Sequence, residues 1–154
     1  MSVGLEVAWA AGFLDGEGTF YLRKISNKNQ RTPSTIRRRA QICAVQTRTR
    51  EPLDRLQALF GGRVRSHKRL TASGYRIWEW HLDSGSKLEL AIDLLLPHLT
   101  VKRFAALTLR EHRLTFKRSG PIPLTVETLA TRARLEEALQ AHQSRPRVLH
   151  GGAA

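Results

Sequence analysis

Apolar and polar positions recur along this chain with two periods, and the switches between them mark the elements. From Leu5 to Leu14 the period is helical. Leu5, Trp9 and Phe13 fall at every fourth position, and Ala8, Gly12 and Gly16 form a second stripe of small residues at the same spacing. A face built from alanine and glycine lets another helix approach closely. The helix is expected to end near Gly16, where glycine relieves the C-terminal turn. The period then falls to two. Thr19 to Ile25 reads as a strand with Phe20 and Leu22 on one face and Tyr21, Arg23 and Ile25 on the other. Ser26 to Thr35, with Pro33, reads as a long hairpin tip. Ile36 to Thr47 returns as a second strand, carrying Ala40, Ile42 and Ala44 on one face and Arg37, Arg39, Gln41, Cys43 and Val45 on the other.

A short helix opens at Thr49 or Arg50 with Pro52 in its first turn. It buries Leu53, Leu56 and Leu59–Phe60 and stops at Gly61-Gly62. Gly62 to Leu70 is a third strand, with Val64 inward and Arg63, Arg65 and His67 on the opposite parity. Gly74 marks a turn. Tyr75 to Leu82 is the fourth strand, with Trp78, Trp80 and Leu82 on one face and Tyr75, Ile77, Glu79 and His81 on the other. Ser86, with Glu89 completing a capping box, opens a helix through Leu88, Ile92, Leu95 and Leu96 that breaks at Pro97. Two more helices are expected, from Thr100 to about Lys117 and from Thr125 to about Gln143, separated by Gly120-Pro121-Ile122-Pro123. Their apolar residues, Phe104, Leu107 and Leu114, then Leu129, Leu135 and Leu139, are expected to cover the core beneath the sheet. The order predicts an α+β chain: one domain over residues 1–143 and a disordered tail over 144–154.

Charge changes the picture. Lys and Arg number 26 against 13 Asp and Glu, a net charge of +13, and such an excess points to nucleic acid before anionic membrane. No apolar run is long enough to span a bilayer, and no secretory leader pattern is present, so an intracellular, non-secreted protein is expected. No basic amphipathic helix stands apart from the core, which argues against a membrane partner. The lone Cys43 excludes an internal disulfide and a cysteine-based zinc site. His112, His142 and His150 are too scattered for a metal site. A four-stranded sheet with helices on one face leaves the other bare. On that face Tyr21, Arg23, Arg37, Arg39, Gln41, Arg63, Arg65 and His67 share parity. A two-stranded ribbon fits the major groove, and Arg and Gln suit bidentate reading of guanine and adenine edges.

The densest stretch is Ala10-Ala11-Gly12-Phe13-Leu14-Asp15-Gly16-Glu17-Gly18. An anion just past a helix C-terminus is poorly placed, because the helix dipole is negative there. A cation repairs the clash, and carboxylate plus carbonyl oxygens suit Mg²⁺ or Ca²⁺. Taken alone, Asp-Gly-Glu-Gly also fits a glycine-capped helix followed by two solvated acids, and an EF-hand fragment lacks its remaining ligands.

The nonapeptide resembles the LAGLIDADG motif, which names a family of homing endonucleases. The resemblance implies the family's αββαββα core from Leu5 to about Arg118. That core is a curved, saddle-shaped antiparallel four-stranded sheet with helices on one face, here with extra C-terminal helices. The motif occurs once, which implies a homodimer touching through Ala8, Ala11, Gly12 and Asp15, each subunit covering half of a long near-palindromic double-stranded DNA site. It implies that Glu17 and the Gly16 carbonyl hold the metal, Mg²⁺ with Mn²⁺ or Ca²⁺ as stand-ins, and that Asp15 is structural. Lys102 falls where the family's active-site lysine is delivered. Gln46 resembles the polar residue that orients water, with Thr47 and Arg48 as alternatives, and Arg48 equally suits a phosphate contact. The implied activity is metal-dependent double-strand cleavage across the central minor groove, leaving 3′ overhangs and serving intron homing. An RNA-binding intron maturase and a cleavage-inactive DNA-binding regulator are alternatives on the same fold. Ala10 replaces the leading Leu of the motif and Glu17 its second Asp. Neither change removes the chemistry.

Overall fold

The computed structural model describes residues 2–25, 37–83, 85–116 and 125–144. The elements run α1 (Val3–Glu17), β1 (Gly18–Ile25), β2 (Arg37–Gln46), α2 (Glu51–Phe60), β3 (Arg63–Leu70), β4 (Arg76–Leu82), α3 (Gly85–Leu95), α4 (Arg103–Leu114) and α5 (Val126–Gln143). The strands form one curved antiparallel sheet in the order β1-β2-β4-β3, so the two hairpins join through their second strands. The expected hairpin tip, the segment between the last two helices and residues 145–154 lie outside the described residues.

The period-two faces become the floor of the core. Phe20 and Leu22 from β1, Ala40, Ile42 and Ala44 from β2, and Trp80 and Leu82 from β4 are buried with Leu14, Leu53, Leu56, Leu88, Ile92, Leu95 and Leu109 from the helices. Trp80 lies at the centre, and its indole N–H donates to the Gly61 carbonyl at 2.9 Å, which satisfies the one polar atom that burial strands. The chain must pass close to deliver that bond. Gly62 has φ +85°, and a Cβ there would lie 2.4 Å from the His81 carbonyl oxygen. Gly62→Ala is expected to cost about 2 kcal/mol. Chemical denaturation checks this, and an unchanged midpoint would contradict it.

Several elements differ from the sequence reading. The core-facing stripe of α1 is Val7, Ala10, Ala11 and Leu14. Leu5 is exposed, and the half-buried Trp9 and Phe13 stack at 5.6 Å. The Arg55 guanidinium lies 3.8 Å over Trp9 and bonds both carboxylate oxygens of Glu6. Several stripes repeat at helical spacing, so periodicity alone could not choose which faces inward. The helix also continues through Glu17. The glycine that the turn requires is Gly18, where a Cβ would lie 2.6 Å from the Leu14 carbonyl oxygen, while Gly16 has open space.

The helix α3 starts at Gly85, so Ser86 sits inside its first turn, and Glu89 accepts from Arg113 of α4 at 3.3 Å. The core side of α4 is Ala105, Ala106, Leu109 and His112, while Phe104, Leu107, Leu114 and Leu129 remain exposed. On α5, Leu135 and Leu139 do cover the core. That helix is tied to the sheet by an Arg38–Glu136 ion pair and by Gln143 Nε2 donating to the Phe20 carbonyl at 2.8 Å.

His112 is 1% exposed and its Nδ1 has no partner among the described residues. Burial, reinforced by Arg132 and Arg113, pushes its imidazole down to about 4 from an ordinary 6.5. The folded state therefore holds it neutral while the unfolded chain takes up a proton first. Its contribution is complete above pH 6.5 and is lost as pH falls towards 4, on the order of 3 kcal/mol. Urea midpoints measured across that window should fall for the native chain and fall less for His112→Leu.

Candidate functional site

The C-terminal turn of α1 runs straight into β1, the helix ending at Glu17 and the strand starting at Gly18. Gly16 and Glu17 are exposed there. Asp15, one turn further in, reaches across to the segment before α4. One carboxylate oxygen accepts from the Thr100 backbone N–H at 2.8 Å and its hydroxyl at 2.7 Å, and the other accepts from the Lys102 backbone N–H at 2.8 Å. Burial alone would raise the Asp15 carboxyl, but these N–H and O–H donors outweigh it and hold it below the usual carboxylate range. The same bonds satisfy backbone N–H groups just ahead of α4, which starts at Arg103.

This contact brings Lys102 to the end of α1 that carries Glu17. Among the described residues neither the Glu17 carboxylate nor the Lys102 ammonium makes a hydrogen bond or ion pair. Gln46 ends β2. Gly18 pairs with Ala44, and Gln46, two residues further along β2, stands opposite Trp78 of β4. Thr47 and Arg48 follow in a bend. The Arg48 guanidinium lies 5.3 Å over the Tyr75 ring.

Glu17 and the Gly16 carbonyl form an all-oxygen donor set at a helix C-terminus. That suits a hard divalent cation, and the dipole adds to the attraction. Among the described residues no three His, Cys, Asp or Glu side chains cluster to hold a metal.

The sheet face opposite the helices is basic. Arg23, Arg39, Arg63 and Arg65 are exposed on it. Arg23 stands opposite Arg39 on β1–β2, and Arg65 opposite Glu79 on β3–β4. Asp83 answers Arg39 and Arg63 only at 3.7 Å each, a separation at which exposed pairs contribute little. Arg37 lies on β2, opposite Ile25. Gln41 departs from expectation. It is 2% exposed, accepting from Tyr21 Oη at 2.9 Å and lying 2.6 Å from His81 Nδ1. His81 Nε2 is 2.9 Å from Glu79 Oε2, and His67 Nε2 is 2.7 Å from the same oxygen. Gln41 is thus withdrawn into a polar network. Glu79 and His81 belong to the site although the sequence reading gave them no role. Their shared parity with the arginines was the available signal.

The face of α1 away from the core carries small residues beside the exposed Leu5 and the half-buried Trp9. A Cβ at Gly4, Gly12 or Gly16 would meet nothing within 4 Å, and Ala8 is half-buried. Two residues expected on that face are committed elsewhere: Ala11 is wholly buried in this chain's own core, because it falls on the inward stripe, and Asp15 caps the Thr100–Lys102 segment. No helix among the described residues is long and apolar enough to cross a membrane.

Residues 10–95 match the protein-family profile described as LAGLIDADG endonuclease. Comparison with curated proteins gives no match. Among solved structures, the homing endonuclease I-CvuI in complex with its target in the presence of Ca aligns with a TM-score of 0.70 at 24% identity, covering 91% of this chain and 83% of that one. The homing endonuclease I-TnaI aligns at 0.66 and 23%, covering 92% and 97%. The group I intron-encoded homing endonuclease I-CeuI complexed with DNA aligns at 0.69 and 14%, covering 88% and 66%. At these identities the structural matches establish a common fold.

Proposed function

The chain belongs to the LAGLIDADG endonuclease family, and from that premise we propose that it is a sequence-specific DNA endonuclease. It acts as a homodimer on a long near-palindromic double-stranded site with the help of a divalent metal. One observation carries this reading. The Asp15 contact gathers Glu17 and Lys102 at one helix end, both uncommitted, where a basic sheet face begins. A protein that only binds DNA gains nothing from an unpaired carboxylate beside phosphates.

In this reading Gly12 and Ala8 of two α1 helices meet at the dimer axis. Each sheet covers one half-site, with Arg23, Arg39, Arg63, Arg65 and His67 facing the major groove and Arg48 a phosphate. The two Glu17 carboxylates come together at the axis and repel unless cations lie between them. Glu17 and the Gly16 carbonyl are the residues that would hold Mg²⁺. When bound, the ion supplies a more acidic water and neutralises charge on the scissile phosphate. Lys102 stabilises developing negative charge through its ammonium, and Gln46 orients the attacking water, with Thr47 and Arg48 as the neighbouring candidates for that task.

The dimer makes its own prediction. A leucine at Gly12 meets nothing within this chain but stands between two helices packed backbone to backbone. Gly12→Leu should sediment as a monomer, keep its secondary structure by circular dichroism, and lose double-strand cleavage. A dimeric Gly12→Leu would rule out α1 as the contact.

The function itself is tested by selection. A library of long palindromic duplexes is incubated with the purified protein in Mg²⁺ or in EDTA, and the products are sequenced. Cutting at one consensus, lost in EDTA, establishes a metal-dependent endonuclease and yields its target. Specific binding without cutting under every divalent metal would replace it with a DNA-binding regulator, and preference for structured intron RNA with a maturase.

A further inference from the structure

The outward face of the sheet carries one continuous hydrogen-bond chain drawn from all four strands: Tyr21, Gln41, His81, Glu79 and His67. A carboxylate only accepts, so both Nε2 atoms that meet Glu79 carry protons. Tyr21 donates to Gln41 Oε1, which turns the amide nitrogen towards His81. Nδ1 must then be bare, and His81 is the neutral Nε2–H tautomer.

The same heavy atoms support a second arrangement. A proton on His81 Nδ1 needs an acceptor, and the Gln41 amide is the group that faces it. Turning that amide over presents Oε1 to His81 and N–H to Tyr21. The Tyr21 hydroxyl then accepts from Gln41, and its own proton swings outward. With His81 neutral, Tyr21 offers an acceptor lone pair to a ligand on the face, and with His81 charged it offers a donor. Base edges in the major groove differ in this property: adenine and cytosine present exocyclic amine donors, while guanine and thymine present carbonyl acceptors.

We propose that Tyr21 is a specificity-determining residue whose hydrogen-bonding sense is set by the proton on His81, with Gln41 and Glu79 as positioning residues. The inference rests on the reading of this face as the DNA-binding surface.

The groups facing His81 pull in both directions. On its own strand β4, Glu79 favours the charged imidazole, and Asp83 lies two residues on. From β3, Arg63 stands directly opposite His81 and Arg65 opposite Glu79, and both oppose a further positive charge. His67, also on β3, already donates through Nε2, so its protonation leaves the chain's polarity unchanged. From β2 come Arg39, which shares Asp83 with Arg63, and Cys43, whose thiol burial pushes up to about 11. From β1 come Arg23 and Tyr21, whose phenol is raised by burial and by Cys43 and Glu79. Both shifts keep the thiol and the phenol protonated near neutral pH, which leaves the two imidazoles, His81 and His67, as the groups the inference concerns.

The test uses the whole protein and a pool of palindromic duplexes randomised in each half-site. With Ca²⁺ replacing Mg²⁺, bound and cut duplexes are sequenced at about pH 8 and about pH 6. One position per half-site should move from adenine or cytosine towards guanine or thymine by roughly threefold to tenfold, the effect of inverting one hydrogen bond. Other positions should hold. Tyr21→Phe should abolish the shift, and His67→Gln should retain it. In the free protein, ¹⁵N imidazole spectra at the higher pH should report the Nε2–H tautomer at His81. Specific binding with a pH-invariant profile, or a proton on Nδ1 at the higher pH, would overturn the inference and leave the endonuclease reading standing. Absence of any specific binding would overturn both.

Discussion

Glu17→Gln lowers double-strand cleavage by on the order of a thousandfold while leaving affinity for the selected DNA within about threefold. The substitution keeps the shape of the side chain and removes its charge. Charge is the property the site needs, because an amide oxygen is a far weaker ligand than a carboxylate for a hard divalent cation. The fold should not suffer, since Glu17 is exposed and makes no bond among the described residues. Its stability should change in the opposite sense to activity. Glu17 is the last residue of α1, where the helix dipole is negative, and removing an anion there stabilises the free protein by about 0.3 to 1 kcal/mol. Single-turnover cleavage and a thermal melt measure the two together. A variant that cuts at the native rate, or that melts lower, would show that this carboxylate serves the fold and not the chemistry.

Asp15→Ala is expected to lose both stability and rate. The carboxylate accepts three hydrogen bonds of 2.7 to 2.8 Å, two from backbone N–H groups of the segment that begins α4. Bonds to a charged acceptor are stronger than neutral ones, but this cluster is largely open to solvent, so the loss is about 2 to 3 kcal/mol. Lys102 then loses its tether to α1, and cleavage falls by about a hundredfold at unchanged DNA affinity. Asp15→Asn keeps one acceptor oxygen and should lie between the two. Because the folded Asp15 is held below its ordinary 3.8, its contribution is complete above that value and is lost only as pH falls through the lower folded one. It therefore fails in stronger acid than His112. A loss of affinity matching the loss of rate would mean that Asp15 organises the DNA surface and not Lys102.

The strand parity that the sequence displays sorts the sheet's main core residues, although Val64 and Trp78 are only half-buried and Gln41 and Cys43 are buried on the opposite face. Phe20, Leu22, Ala40, Ile42, Ala44, Trp80 and Leu82 are all buried on one side of the sheet. A strand has only two faces, so apolar alternation leaves no freedom once one face is covered. Helices are less constrained. On α1 several stripes share one spacing, and the inward choice went to Ala10 and Ala11 because alanine lets the helix lie close to its neighbours. On α4 the exposed Phe104 and Leu107 look more hydrophobic than the buried alanines and His112, and only the packing reveals which side the sheet takes.

What the sequence by itself determined is local: the element order, the two faces of each strand, the charge that marks a nucleic-acid partner, and the motif that carries Glu17 at a helix end. These follow from side-chain chemistry at fixed short spacing. The tertiary structure decided which distant residues meet. Asp15 and Lys102 are 87 positions apart and Gln41 and His81 are 40, so no periodicity links them. The first pair gathers the candidate catalytic groups. The second withdraws a glutamine expected to read bases, because a buried amide must satisfy its own hydrogen bonds before it can serve a ligand.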